Sequence, residues 1–321
     1  MIKRACITNS RLAVCFLIFM MLFIAVSCEK KAIKDGKEGK KLVVVTSLFP
    51  IYDFAREITK DKAKITMLLP PGIEPHSFDP RPADIITLNN ADIFIYTNKY
   101  MEPWTDDIIK GITSQTLVII DSSLGVNFMK KENGHSHDKK HKHIHADPHI
   151  WLDFSNAMIM VDNILDGLVR KDPDNADFYR TNAGQYKKRL IELDAKYKES
   201  LALCQKKIFV SGGHFSFNYL AGRYGLKYIS AFEGFSPDAE PTPRQLAKII
   251  NTMKQYGLRH IFYEELITPR IAETIKGETG ASLLMLHAAH NISKNEFASG
   301  ETFISLMEKN LESLKTGLQC R

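Results

Sequence analysis

Residues 175–203 stay compatible with a helix over roughly 28 positions, with no proline and a single glycine, Gly184. At about 1.5 Å per residue such a helix spans roughly 40 Å, too long for a crossover in a small sheet. It therefore predicts a connecting rod, and the sequence on either side agrees. Ahead of it, short apolar strands at 41–46, 65–69, 92–96 and 117–120 alternate with helical patterns at 49–59, 82–90 and 102–111. A further helix spans 155–170. Behind it, strands at 207–210, 226–229, 260–262 and 282–286 alternate with helices opening near His214, Thr242 and Thr268, and a last helix covers 300–318. Such alternation predicts parallel sheets with crossover helices. The expected fold class is α/β: two lobes, 41–173 and 205–321, each with a roughly four-stranded parallel sheet flanked by helices and joined by one long helix at 174–204. A chain of 321 residues is near the practical limit for one core, which also favours two lobes.

The first 28 residues belong to targeting. Lys3, Arg4 and Arg11 precede an unbroken apolar run at 12–26, short of the roughly 20 residues that span a bilayer. Ala25-Val26-Ser27-Cys28 resembles a bacterial lipobox, with Ala25 where Leu is usual, and a polar, lysine-rich tether follows at 29–40. Cys28 is the expected lipidation site. The formal charge of +6 falls to +3 once this segment is set aside, and no basic patch is interleaved with aromatics, so nucleic acid is not an expected partner. Cys6 and Cys15 leave with the leader. Cys204 and Cys320 remain, either paired or as two separate thiols.

Residues 130–146 interrupt the pattern. This loop carries five lysines together with His135, His137, His141, His143 and His145, and reads as a solvated, metal-attracting insertion. Four other histidines fall at the ends of predicted strands or in the loops just after them: His76, His149, His214 and His287. The carboxyl ends of strands are where open α/β sheets bind ligands. Two come from each lobe, so a cleft between the lobes could bring all four together. His290 is a possible outer partner or alternative ligand, whereas His260 begins a strand and reads as structural. No His-Glu-x-x-His, Gly-x-Ser-x-Gly or glycine-rich phosphate loop occurs, so an enzyme is not expected.

The chain resembles the cluster 9 (A-I) solute-binding proteins, the metal-binding lipoproteins of bacterial zinc and manganese ABC importers. The likeness rests on Pro70-Pro-Gly-Ile-Glu-Pro-His-Ser-Phe-Asp-Pro-Arg-Pro-Ala-Asp84, Asn89-Asn-Ala-Asp92, Asp147-Pro-His-Ile-Trp-Leu-Asp153 and Asp172-Pro-Asp-Asn175. It extends to His214-Phe-Ser-Phe-Asn-Tyr-Leu-Ala221, Tyr224-Gly-Leu226 and Glu240-Pro-Thr-Pro243. The resemblance implies one buried metal between two lobes, held at the positions of His76, His149, His214 and His287. Relatives commonly carry Leu-Asp-Pro where this chain has Leu286-His287-Ala288, which leaves His290, Glu233 or water as substitutes for the fourth ligand. Asp153, Glu74 and Glu264 are candidate acceptors for the imidazole N–H groups. Four neutral nitrogens suit Zn(II) better than a harder ion, although Cu(II) or Ni(II) could compete. The expected function is an extracytoplasmic, lipid-anchored and monomeric receptor that delivers zinc to an ABC permease. The alternatives are a receptor for manganese or another divalent metal, or a surface adhesin.

Overall fold

The computed structural model describes residues 41–129, 146–232, 241–266 and 268–321. The expected targeting segment with Cys28, the expected tether, Glu233, Glu240 and all five loop histidines lie outside them. Strands β1 (Leu42–Thr46), β2 (Ala63–Met67), β3 (Ile93–Tyr96) and β4 (Val118–Asp121) form one parallel sheet in the order β2-β1-β3-β4. Strands β5 (Ile208–Ser211), β6 (Lys227–Ser230), β7 (His260–Tyr263) and β8 (Ser282–Met285) form a second, in the order β6-β5-β7-β8. The two halves repeat one topology. Because every strand in a sheet points the same way, each sheet collects all its post-strand loops at a single edge.

Helices α1 (Phe49–Thr59), α2 (Pro82–Asn89), α3 (Thr105–Gly111) and α4 (Phe154–Lys171) accompany the first sheet. Helices α6 (Asn218–Arg223), α7 (Pro243–Tyr256), α8 (Arg270–Thr279), α9 (Lys294–Ser299) and α10 (Phe303–Gly317) accompany the second. Between them runs α5 (Ala176–Ala202), 27 residues long. It buries Tyr179, Ala183, Tyr186, Leu190, Leu193, Tyr197 and Leu201, a spacing of three and four that puts one apolar stripe along its whole length. This stripe packs on α1 and α4 of the first half and on α10 of the second, so α5 is a shared wall of the core rather than a bare rod.

One hydrophobic core therefore runs through both halves, with smaller clusters around Val45 and Phe94 and around Val210 and Ile261. At its centre the Phe303 ring meets Phe54 edge-on at 5.1 Å and Phe154 at 6.4 Å. Phe303 N–H donates to Asp53 Oδ2 at 2.8 Å, which carries the start of α10 onto α1. Each such buried aromatic contributes on the order of 1.5–3 kcal/mol. A disulfide joins Cys204, beyond the end of α5, to Cys320, beyond the end of α10. Further along α5, Arg223 binds both carboxylate oxygens of Asp194 at 2.7 Å and reaches Asp153 Oδ1 at 2.7 Å and Ser155 Oγ at 2.6 Å. One guanidinium so ties α6 to α4 and α5.

Two helix expectations need correction. The helix expected to open at His214 begins only at Asn218, because Ser216 N–H turns back to the His214 carbonyl and Tyr228 O–H holds that same carbonyl. The last helix starts at Phe303, with Thr302 as its cap, and the shorter α9 precedes it. Gly300 separates the two at φ +77°, a left-handed position that glycine adopts without strain. No described helix is long and apolar enough to cross a membrane.

Candidate metal centre

Four imidazoles meet where the two sheet edges face each other. They belong to His76, His149, His214 and His290, and one ring nitrogen from each lies within 4.8 Å of all the others. Their ring centroids stand 5.1–5.9 Å apart. His149 Nε2 and His214 Nε2 are 3.2 Å apart. That is close to the roughly 3.3 Å edge of a tetrahedron with metal–nitrogen bonds of about 2.0–2.1 Å. His149, His214 and His290 are buried, and His76 is half-buried.

Each histidine reaches the centre through a different local device. His76 sits in the turn-rich segment after β2, which is fixed from the other half of the molecule. Asn291 Nδ2 donates to the carbonyls of Pro70 and Ile73 at 2.9 and 2.7 Å, and Gly72 N–H donates to the Ile292 carbonyl at 2.7 Å. Gly72 stands at φ +88°, so glycine is needed there. His149 is set by its own motif: Asp147 Oδ1 accepts the His149 backbone N–H at 3.0 Å and lies 2.9 Å from its Nδ1. Asn98 Nδ2 anchors the Pro148 carbonyl at 3.0 Å, and Glu102 in turn accepts the backbone N–H of Thr97 and Asn98. His214 follows β5 through Gly212 and Gly213. A Cβ on Gly213 would collide with the Glu264 side chain, and that space lets Glu264 Oε2 come within 2.6 Å of His214 Nδ1. His290 follows β8, with its Nδ1 3.1 Å from Glu265 Oε1.

His287, expected as the fourth member, is not in this group. Its Nδ1 accepts the Ala289 backbone N–H at 2.9 Å, its Nε2 lies 3.7 Å from Glu296 Oε1, and Asn310 bonds its backbone on both sides. Ala289 at φ +60° turns the chain so that His290 takes the place facing the other three. Asp153 is also placed elsewhere: it caps α4 through Ser155 N–H and pairs with Arg223. Glu264 lies against His214 as anticipated. Glu74 bonds Ser77 N–H at 2.9 Å and bears on the cluster through its charge. Asp147 and Glu265 were not singled out as acceptors. The signal for both was present, in an acid two residues before His149 and in a second glutamate directly after Glu264.

Burial is the leading influence on the protonation of these groups, since a low-dielectric surrounding disfavours charge. It holds His76 and His149 well below the ordinary imidazole range, and the neighbouring histidines add to the effect. Burial pulls His214 down too, but the carboxylates of Glu264, Glu265 and Glu74 outweigh it and raise the pKa. Burial also pushes Asp147 up to about 7. For Glu265 burial is overcome by His287 and His290, which hold it at about 2. The centre is thus a set of nitrogen donors backed by buried carboxylates, a composition able to hold a divalent metal ion.

Residues 44–317 match the ZnuA family, described as the periplasmic zinc-uptake complex component A. The chain belongs to this family. Among its ZnuA-family relatives, the high-affinity zinc uptake system protein ZnuA of Bacillus subtilis is 36% identical over 94% of this chain and 96% of its own length. The zinc-binding lipoprotein AdcA of Streptococcus pneumoniae is 33% identical over 90% of this chain, which spans only 58% of that longer protein. In three dimensions, the Zn(II)-bound ZnuA-like domain of the pneumococcal AdcA superposes with a TM-score of 0.74 at 31% identity, over 87% of this chain and 99% of that domain. The duplicated four-stranded sheets therefore carry a fold shared with proteins named for zinc binding.

Proposed function

We propose that this protein is an extracytoplasmic zinc receptor of an ABC importer. It binds one Zn(II) as cargo on His76, His149, His214 and His290 and passes it to a membrane permease. Cys28 would carry the lipid that keeps it at the membrane, in line with the lipoprotein named among its relatives.

The observation that carries this assignment is the meeting of four imidazole nitrogens within 4.8 Å of one another. The choice of metal follows from the donors. Neutral imidazoles in a small tetrahedral set suit Zn(II), whereas manganese favours carboxylate and carbonyl oxygen. The three acids nearest the rings, Asp147, Glu264 and Glu265, face Nδ1 atoms, where they can orient the imidazoles and offset the charge of the ion. Nothing in this arrangement calls for a substrate to be chemically changed. It is a site for binding and release.

Zinc titration of the full chain, with the five loop histidines changed to asparagine, tests the assignment. One tight zinc per chain is expected. His290→Ala should weaken it by more than the roughly 10–100-fold that outer partners of a metal site are worth, while His287→Ala should stay near the parent. Loss of tight zinc in His287→Ala with retention in His290→Ala would restore the ligand set expected from sequence. Absence of tight zinc in the parent would remove the receptor assignment.

A further inference from the structure

We infer that Glu265 is the positioning residue that selects between the two histidines of the 287–290 turn, holding His290 into the metal centre and His287 out of it. This rests on the zinc-receptor assignment and adds a role for a residue that does not itself face the ion. Glu265 is buried. Its Oε1 stands 3.1 Å from His290 Nδ1 and 3.3 Å from His287 Nδ1, so one oxygen lies between two imidazoles three residues apart. Its Oε2 accepts the backbone N–H of Ala288 at 2.8 Å, which seats the carboxylate over the turn itself.

The two imidazoles are not equivalent partners for that oxygen. His287 Nδ1 already accepts the N–H of Ala289. In the neutral tautomer that accepts the Ala289 N–H, His287 Nδ1 has no proton to give Glu265, and its lone pair is spent. His290 Nδ1 makes no aligned hydrogen bond among the described residues, so at 3.1 Å it is the nitrogen left to turn a proton toward Oε1. A donated Nδ1 proton leaves Nε2 with the lone pair that a metal requires, which is the outer-carboxylate arrangement that fixes a ligand's tautomer and ring orientation. Two further features make the carboxylate an independent guide. It follows β7, whereas both histidines follow β8, so it is held by a neighbouring strand and not by the turn it shapes. Glu264 performs the one-to-one version of the same task for His214, so successive residues serve two different ligands.

The test uses the full chain with the loop histidines replaced as above. It reads zinc affinity, the visible spectrum of bound Co(II), and the melting temperature of the metal-free protein for Glu265→Gln, Glu265→Asp, His290→Ala and His287→Ala. Glutamine keeps the size of glutamate but sets an amide against the Ala288 N–H or the His290 N–H. Glu265→Gln should therefore weaken zinc by roughly 10–100-fold and alter the tetrahedral Co(II) bands. Glu265→Asp, which keeps the charge on a shorter stem, should recover part of both. Parental affinity and spectrum in Glu265→Gln, alongside weak binding by His290→Ala, would overturn the selection role and leave the receptor assignment standing. The selection role would equally be overturned if the Glu265 variants lowered only the metal-free melting temperature, or if His287→Ala weakened zinc as much as His290→Ala. Parental zinc binding by His290→Ala would remove the assignment beneath it.

Discussion

His76, His149 and His214 of the proposed zinc site differ in protonation, and this predicts a directional pH dependence of zinc affinity. His76 and His149 are held neutral by burial to well below the usual imidazole range, so neither has a proton to lose near neutrality. His214 is the exception, because the carboxylates around it overcome the cost of burial and raise its pKa. Below that raised pKa a proton must leave His214 before zinc can bind. Affinity should therefore be maximal above it and fall by about tenfold per pH unit below it. Glu264→Gln removes the nearest of these carboxylates and should move the onset of the fall to lower pH. Competition against a chelator, from about pH 8 to about pH 5.5, would read both curves. A flat profile in the parent, or an onset unmoved in Glu264→Gln, would show that His214 does not carry that proton. At this scale the sequence picks out His76, His149 and His214, which lie together in the cluster, because each closes a strand or a recognisable motif. It could not separate His287 from His290. That three-residue shift is decided by a left-handed alanine and by a carboxylate contributed from the neighbouring strand, neither of which leaves a local mark.

Among the elements, α6 has the weakest claim to stand alone. It is six residues long, below the length at which a helix is stable by itself, yet it directly follows the segment that presents His214. Arg223 at its end supplies the missing restraint, through two bonds to Asp194 on α5 and contacts to Asp153 and Ser155 at the start of α4. Tyr224 O–H adds a bond to Asp194 Oδ1 at 2.8 Å. Arg223→Met keeps much of the stem volume and removes the guanidinium's four bonds, leaving Asp194 with Tyr224 and Lys198 alone. It should cost about 2–3 kcal/mol, measured as a lowered urea midpoint at constant slope. A change within about 0.5 kcal/mol would place this cluster among surface ion pairs of little consequence. The strands were legible to within about two residues because apolar runs bounded by glycine, proline and polar residues mark them clearly. The late start of α6 was not, because it depends on Tyr228, a residue of the next strand, holding the His214 carbonyl.

Across the whole molecule, the duplicated sheets suggest two folding units, but the packing argues for one. The buried stripe of α5 serves both halves, Phe303 from the second half is lodged between Phe54 and Phe154 of the first, and the Cys204–Cys320 disulfide ties the end of α5 to the end of the chain. Unfolding one half alone would expose the α5 stripe and strand Phe303, so an intermediate with one half folded should be too costly to populate. The sequence signalled α5 as long but not as a shared wall, since its stripe identifies a buried face without naming what covers it. The placement of tryptophan offers a direct test. Both tryptophans, Trp104 and Trp151, lie in the first half, and Trp151 Nε1–H donates to the Ala288 carbonyl of the second at 2.8 Å, so fluorescence follows the first half and its seam with the second while far-ultraviolet circular dichroism follows all the helices. In urea the two signals should trace one coincident transition, and saturating zinc should shift both midpoints together by the same amount, since the metal binds only when both halves are in place. Separate midpoints, or a zinc shift confined to one signal, would mean that the halves unfold independently and that the shared core couples them less than its continuity implies.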